Sequence, residues 1–142
     1  MVDAAEPHMV DRITNSFTRQ GLLRTLGARI DEISTGRVVL SMPITEAHSQ
    51  QHGFAHAGAT FALGDSASGY AALSLMPPEA EVLTVEMKIN LVAPADGNRL
   101  VAIGEVMKPG RRLIITRCTV LVERADGKRR EAALLQGTMI PA

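Results

Sequence analysis

The stretch 55–76 constrains this chain more than any other part of it. It carries Phe61, Leu63, Tyr70, Leu73 and Leu75 among many alanines, has Gly58, Gly64 and Gly69 interspersed, and runs into Pro77-Pro78. Read at the helical period it is apolar nearly all round, so it has to be buried. Each interior glycine costs such a helix about 1 kcal/mol relative to alanine, which makes sense where its backbone must lie close against a sheet or another helix. Asp65 and His56 within or beside it argue for a buried soluble helix over a membrane span. With 142 residues, 46% of them hydrophobic, the chain reads as one domain with a normal core, residues 1–142.

Around this helix the sequence supplies strands. Residues 8–20 place Val10, Ile13 and Phe17 on one face of a short N-terminal helix that Gly21 is expected to end. Residues 30–34 and 37–44 read as antiparallel strands joined by a tight turn at Ser34-Thr35-Gly36. After the prolines, Val85, Met87, Ile89 and Leu91 alternate with Thr84, Glu86, Lys88 and Asn90, a strand with one buried face. Strands over 99–107, 112–124 and 129–140 follow, divided by turn signals at 94–98, Pro109-Gly110 and Asp126-Gly127. One long helix on one face of an antiparallel sheet of about six strands is a two-layer α+β domain whose sheet can curl around the helix. Long edge strands and a small domain's incomplete burial favour a symmetric dimer, with edges or helices paired across a two-fold axis.

Charge excludes some roles. Fifteen Lys+Arg balance fifteen Asp+Glu, so no global field draws the chain onto nucleic acid or an anionic membrane. Only short basic groups such as Lys128-Arg129-Arg130 occur. The lone Cys118 cannot form an intrachain disulfide and falls among Ile114, Thr116, Val120 and Val122 on one strand face, a core position. With no convincing signal peptide, a cytoplasmic location without nucleic-acid or membrane partners is expected.

Asp65 stands out on physical grounds. Its helical neighbours Phe61, Ala62, Ser68 and Gly69 bring no cation, and residues 38–87 contain no Lys or Arg. A carboxylate in such surroundings is costly to ionise and has a raised pKa, the condition of many catalytic acids and bases. A carboxylate held by backbone amides at a dimer seam is the structural alternative. Gln50, His52, Gly53 and His56 occupy the loop into the helix, whose first free amides include those near Ala57 and Gly58. A helix N-terminus can polarise a carbonyl or hold an oxyanion; ordinary capping is the alternative. Ala57 and Asp65 lie about 12 Å apart along one helix, too far to touch one reacting carbon, whereas two antiparallel copies can bring the N-terminus of one beside the Asp65 of the other.

Competing patterns are weaker. His48, His52 and His56 recur at four-residue steps, but Gly53 and the loop-like run before Ala55 interrupt any continuous helix, and no metal is expected. Gly64-Asp65-Ser66 has no sharp turn to expose a nucleophilic serine, and no dinucleotide-binding or Walker loop is present. Lys108-Pro109-Gly110-Arg111-Arg112 is a basic turn, ordinarily solvated, that could grip a phosphate.

The order of elements, the run Gly53-Phe54-Ala55-His56-Ala57-Gly58, Asp65 nine positions after His56, and the segment 87–95 together resemble the PaaI-like acyl-CoA thioesterases. The similarity covers roughly residues 25–140, including 104–111 and Asp126-Gly127-Lys128. It implies the hotdog fold and hydrolysis of an acyl-CoA thioester to free acid and CoA, in a dimer or dimer of dimers with sites at subunit interfaces. It implies no cofactor, CoA being part of the substrate. By the same resemblance Asp65 is nucleophile or general base and the Ala57 N–H polarises the thioester carbonyl. Gln50 lies near the thioester, His56 shapes the loop, and Thr84 assists the carboxylate or orients water. Gly58 and the turn residues Lys108, Gly110, Arg111 and Arg112 fall where CoA is contacted. The usual His-Gly-Gly is here His56-Ala57-Gly58, which requires a conformation open to a residue with a Cβ. Gln50 matches relatives that use a catalytic Glu, and Asp65 matches those that carry Asn in the loop. Two further activities fit the same fold, non-catalytic acyl-CoA binding or sensing and acyl-thioester dehydration or hydration.

Overall fold

The computed structural model describes residues 5–142. Helices α1 (Pro7–Thr18) and α2 (Gly21–Thr25) precede strands β1 (Arg29–Ser34) and β2 (Arg37–Pro43). A 3-10 turn, Glu46–His48, leads to the long helix α3 (Ala57–Leu73), which is followed by β3 (Val82–Leu91), β4 (Arg99–Lys108), β5 (Ile114–Glu123) and β6 (Arg129–Pro141). The six strands form one antiparallel sheet in the order β1-β2-β4-β5-β6-β3. The chain after α3 crosses to the far side before β3 pairs with β6, so β1 and β3 are the two edges. The sheet wraps α3, which touches every strand from β2 to β3. This is the hotdog fold, as the sequence led us to expect. No helix among the described residues is long and apolar enough to cross a membrane.

Glycines set how closely the two layers approach. A Cβ on Gly104 of β4 would collide with the Ala67 carbonyl carbon and stand 2.6 Å from the Ser68 nitrogen, so the helix backbone rests directly on the strand there. On the helix side, a Cβ on Gly64 would meet Leu135 Cδ2 at 2.8 Å. Around these contacts Leu63 and Leu73 of α3 pack with Leu40, Leu100, Ile114, Val120 and Met139 of the sheet, all fully buried. Cys118 is 1% exposed in the same core, and burial pushes its thiol up to about 12. The core placement expected for it is correct.

Element ends differ from the sequence reading in instructive ways. Helix α1 stops at Thr18, capped by Arg19, and Gly21 opens α2 instead of ending α1. Pro7 fixes its first turn, and its buried residues are Met9 and Ile13, with Val10 only partly covered. Phe17 leans on Tyr70 at 6.4 Å between ring centroids. The Tyr70 hydroxyl, buried under α1, bonds to Gln20 Nε2 at 2.6 Å and Ser16 Oγ at 3.1 Å. Helix α3 begins at Ala57, not 55, because the Ala55 N–H donates to the Ala95 carbonyl (3.1 Å) and Ala55 bridges to Ser49. It ends at Leu73, before the prolines rather than at them. Ser74 caps it, its hydroxyl donating to the Ala71 carbonyl at 2.6 Å and accepting from the Gly36 N–H at 2.7 Å.

The largest correction concerns β3. Thr84 pairs with Met139 and Glu86 with Thr138, leaving Val85 as an extra residue in a β-bulge. Beyond it Met87 and Ile89 face the helix as expected, but before it Thr84 also faces the helix, instead of lying outward with Glu86, Lys88 and Asn90. A bulge shifts the two-residue alternation by one, which a reading of period alone cannot detect.

The Gly104→Ala variant is expected to lose at least the ~1–3 kcal/mol typical of core overpacking, because the group it would strike is backbone. A thermal melt beside wild type measures it; an unchanged melting temperature would show that the two layers are looser than described.

Candidate active site

The loop before α3 builds one half of a site. Gly53, at φ +83°, lets residues 50–54 close tightly: its N–H donates to the Gln50 carbonyl (3.0 Å) and the Gln50 N–H donates to the Phe54 carbonyl (2.9 Å). The Gln50 side chain finishes the closure, its Oε1 accepting from the His52 and Phe54 N–H groups. His56 is the N-cap of α3, and its Nδ1 accepts from the Gly58 N–H at 2.8 Å. A Cβ on Gly58 would press on that same Nδ1 at 3.0 Å, so glycine is the residue that leaves the cap undisturbed. Both side-chain acceptors are therefore spent within the loop. What remains is a set of donors: the Gln50 Nε2 group, the His56 Nε2–H that follows once Nδ1 accepts, and the Ala57 N–H, which has no partner among the described residues. Ala57 reaches this position at ordinary helical angles, since no non-glycine described residue has positive φ. The Cβ that replaces the usual glycine hydrogen is accommodated.

Gln50, His56 and Ala57 share a cavity of about 270 Å³ walled by Phe54, Thr60, Leu91, Pro94, Ala95 and Ala132. The sequence reading did not place Pro94, Ala95 and Ala132 in a cavity wall: 94–98 registered as a turn, and 87–95 as a segment of family resemblance with no role attached. Apolar walls around converging donors, at the positive end of a 17-residue helix, favour an oxygen on which negative charge develops. His48 does not join them. Its ring is buried and its Nδ1 bonds to the Pro43 carbonyl at 2.8 Å, so the three histidines lie on a 3-10 turn, a loop and a cap rather than on one helical face.

Two turns further along α3, Asp65 is half-buried, and its Oδ1 accepts from the Thr84 hydroxyl at 2.8 Å. Burial raises its pKa above the usual carboxylate range, and the Thr84 hydrogen bond partly opposes the rise. No salt bridge reaches it among the described residues. Thr84 makes this contact because of the bulge at Val85, a residue that the sequence reading placed in the buried row and that is 55% exposed.

The basic turn lies at the Asp65 end of the sheet. Ile114 and Thr84 flank Met139 from opposite sides, so the turn preceding β5 begins about 10 Å, two strand spacings, from Thr84. Gly110 closes it tightly, since a Cβ there would strike the Leu113 carbonyl oxygen. Arg111, Arg112, Leu113, Ile140 and Pro141 line a cleft of about 550 Å³, and Lys108, Arg111 and Arg112 are exposed without acidic partners among the described residues.

One protomer thus gathers Gln50, His56, Ala57 and Gly58 at one place and Asp65 with Thr84 at another. The eight-residue step along the helix from Ala57 to Asp65 keeps the two groups about 12 Å apart.

Comparison with known proteins agrees with this reading of the fold. The sequence profile of the thioesterase superfamily matches residues 52–127, over half the chain and all of α3. A thioesterase family protein from Silicibacter pomeroyi is 47% identical and superposes with a TM-score of 0.91 over 94% of this chain and 97% of that one. A variant of the phenylacetic acid degradation protein PaaI from Thermus thermophilus is 25% identical, with a TM-score of 0.75 over 87% of this chain and all of that one. The 1,4-dihydroxy-2-naphthoyl-CoA hydrolase of Listeria monocytogenes is 25% identical over 119 residues, 73% of this chain and 97% of that one. With its fold, its His56-Ala57-Gly58 helix start and Asp65 on the same helix, the chain belongs to the thioesterase superfamily, in its PaaI-like hotdog branch.

Proposed function

We propose that this protein hydrolyses an acyl-CoA thioester in a homodimer, each site taking its oxyanion cradle from one protomer and its carboxylate from the other. The observation that carries the reading is the division of one helix into a donor-only cradle and a desolvated carboxylate free of cations, too far apart to act on one carbon. An antiparallel second copy removes that distance twice over, once at each end of the helix. The β3 edge supports pairing, since it leaves Leu83 54% and Val85 55% exposed next to Thr84. That the Listeria relative is named a CoA-thioester hydrolase supports the substrate class.

The steps follow from the groups present. The thioester carbonyl oxygen enters the cradle of Ala57 N–H, with Gln50 Nε2 and His56 Nε2–H beside it, and negative charge developing there meets donors that need no reorganisation. Asp65 of the opposite protomer supplies the electron pair, attacking the carbonyl carbon or taking a proton from a water that attacks it. The carbon–sulfur bond breaks and CoA leaves as thiolate, which takes up a proton. If Asp65 attacked directly, water then hydrolyses the acyl-enzyme anhydride. Thr84 holds Asp65 in place and limits how far its pKa rises. Arg111 and Arg112, with Lys108 and the tight turn at Gly110, bind CoA phosphates at the mouth of the site.

The Asp65→Asn variant is expected to release thiol from acyl-CoAs at least ~10²-fold more slowly, the usual scale for losing a general base or nucleophile; wild-type rates would remove Asp65 from the chemistry. The same variant is expected to be more stable at neutral pH. A carboxyl with a raised folded-state pKa favours the native state below its unfolded pKa, and this contribution is lost as pH rises through the folded value. The melting difference between the two proteins therefore opens above the ordinary carboxylate range and closes in acid.

Thr84→Val removes the hydrogen bond that lowers the Asp65 pKa. The acid limb of kcat/KM, which requires ionised Asp65, is expected to move to higher pH, with activity recovering toward the alkaline side. A limb that stays in place or moves to lower pH contradicts the assigned role of Thr84. Binding without turnover is the distinct outcome that favours an acyl-CoA sensor; calorimetry with an acyl-CoA, run beside the thiol assay, reveals it.

A further inference from the structure

Helix α3 is covered on every side but one. Its residues 59, 60, 63, 64 and 67–73 are buried, whereas Gly58, Phe61, Ala62, Asp65 and Ser66 are partly or fully exposed along a stripe. Phe61 occupies the centre of that stripe. It stands four residues after Ala57 and four before Asp65, one helical turn, or about 6 Å, from each. The ring is only half-buried, packed against the edge of the core rather than inside it.

A two-fold axis places severe limits on such a helix. If Ala57 of one copy faces Asp65 of the other, symmetry makes Asp65 of the first face Ala57 of the second, and the axis has to cross the helix pair at the midpoint between them. On this helix the midpoint is residue 61. We infer that Phe61 stands at the two-fold axis and meets its own copy there, the two rings forming the wall shared by both active sites and setting the bulk of the acyl group each one admits. This rests on the two-protomer reading above, and adds to it the position of the axis and a residue that determines specificity.

The consequence is unusual for a single position. In each site one Phe61 lies a turn from the Ala57 cradle and the other a turn from the attacking Asp65, so four ring contacts with substrate space come from one codon. Removing the ring enlarges both sites from both sides. Enlarging it narrows both.

Only a residue at or directly beside the axis can be joined to its own copy by a short reagent, since residues farther along the helix face different partners. Phe61→Cys, treated with a short bifunctional maleimide, is expected to convert most of the protein to a covalent dimer. Ala62→Cys, which keeps the ring, lies within reach of the same reagent and serves should Phe61→Cys fold poorly. Cys118 is buried and unreactive, so it adds no background. Leu22→Cys, exposed on α2, is expected to remain uncoupled. In the thiol-release assay, Phe61→Ala is expected to raise the kcat/KM ratio of bulky to small acyl-CoAs about 10-fold, on the scale of one or two methylenes of pocket space, and Phe61→Trp to lower it.

A dimer that requires Asp65 for hydrolysis, yet cross-links from neither 61 nor 62 while Gly58→Cys or Ser66→Cys couples, places the axis elsewhere and overturns the inference alone. An unchanged acyl preference in both Phe61→Ala and Phe61→Trp overturns the role as a shared wall. A monomeric protein, or one whose turnover is indifferent to Asp65→Asn, instead removes the two-protomer reading from which this one starts.

Discussion

The contact on which the rest of the structure depends is the close approach of α3 to the sheet, where Gly104 admits the backbone of Ala67 and Ser68 and Gly64 admits Leu135. A helix lying that near its sheet is enclosed on most of its circumference by strands that curl to meet it. Its side chains there must be small or apolar, and they are. A charged residue has only the open stripe available, because anywhere else its carboxylate would have neither water nor a partner. The place of Asp65 on the open stripe is thus a consequence of that packing, and Thr84 is the strand residue near enough to answer the carboxylate.

The two halves of the site are chemically opposite, and their separation along the helix follows from that. The cradle is a place where acceptors have been used up, Gln50 Oε1 and His56 Nδ1 both being committed to loop amides, at the end of the helix where positive potential is greatest. A carboxylate within the same turn would fill the cradle itself and fall in pKa, to the detriment of a base. Two turns away it feels little of the dipole, and desolvation keeps its affinity for a proton high. In the proposed dimer, reuniting the two groups across a symmetry axis allows substrate, rather than the protein's own carboxylate, to occupy the cradle.

Much of this was legible in the sequence. The order of the main helices and strands, the burial of most of α3 apart from its open stripe, and the isolation of Asp65 all follow from periodicity, from Gly and Pro punctuation and from the absence of Lys and Arg between 38 and 87. Three things were not. The pairing of β3 with β6 is a long-range choice that no local pattern encodes, and the inward face of Thr84 depends on a bulge that breaks the very alternation used to find the strand. The third is the capping of α3 by Ser74, where a serine hydroxyl bonded to Ala71 and Gly36 ends the helix before the prolines that seemed to end it. Each is a case of tertiary or side-chain hydrogen bonding overriding a local signal.

The isolation of Asp65 also bears on whether the protein turns its ligand over or only holds it. A carboxylate that is half-buried, bonded to one hydroxyl and matched to no cation among the described residues lowers the stability of the native state at neutral pH. Holding an acyl-CoA calls for apolar walls and for cations near the phosphates, of the kind that the exposed Arg111 and Arg112 offer, and an anionic carboxylate near a polyanionic ligand works against such binding. The proposed hydrolysis makes use of it, because a group with a raised proton affinity close to an electrophilic carbon can attack that carbon or deprotonate water beside it. Under the proposed function the destabilising feature stands where hydrolysis requires it, and a binding protein with this fold would be better served by an amide or an apolar residue at the same place.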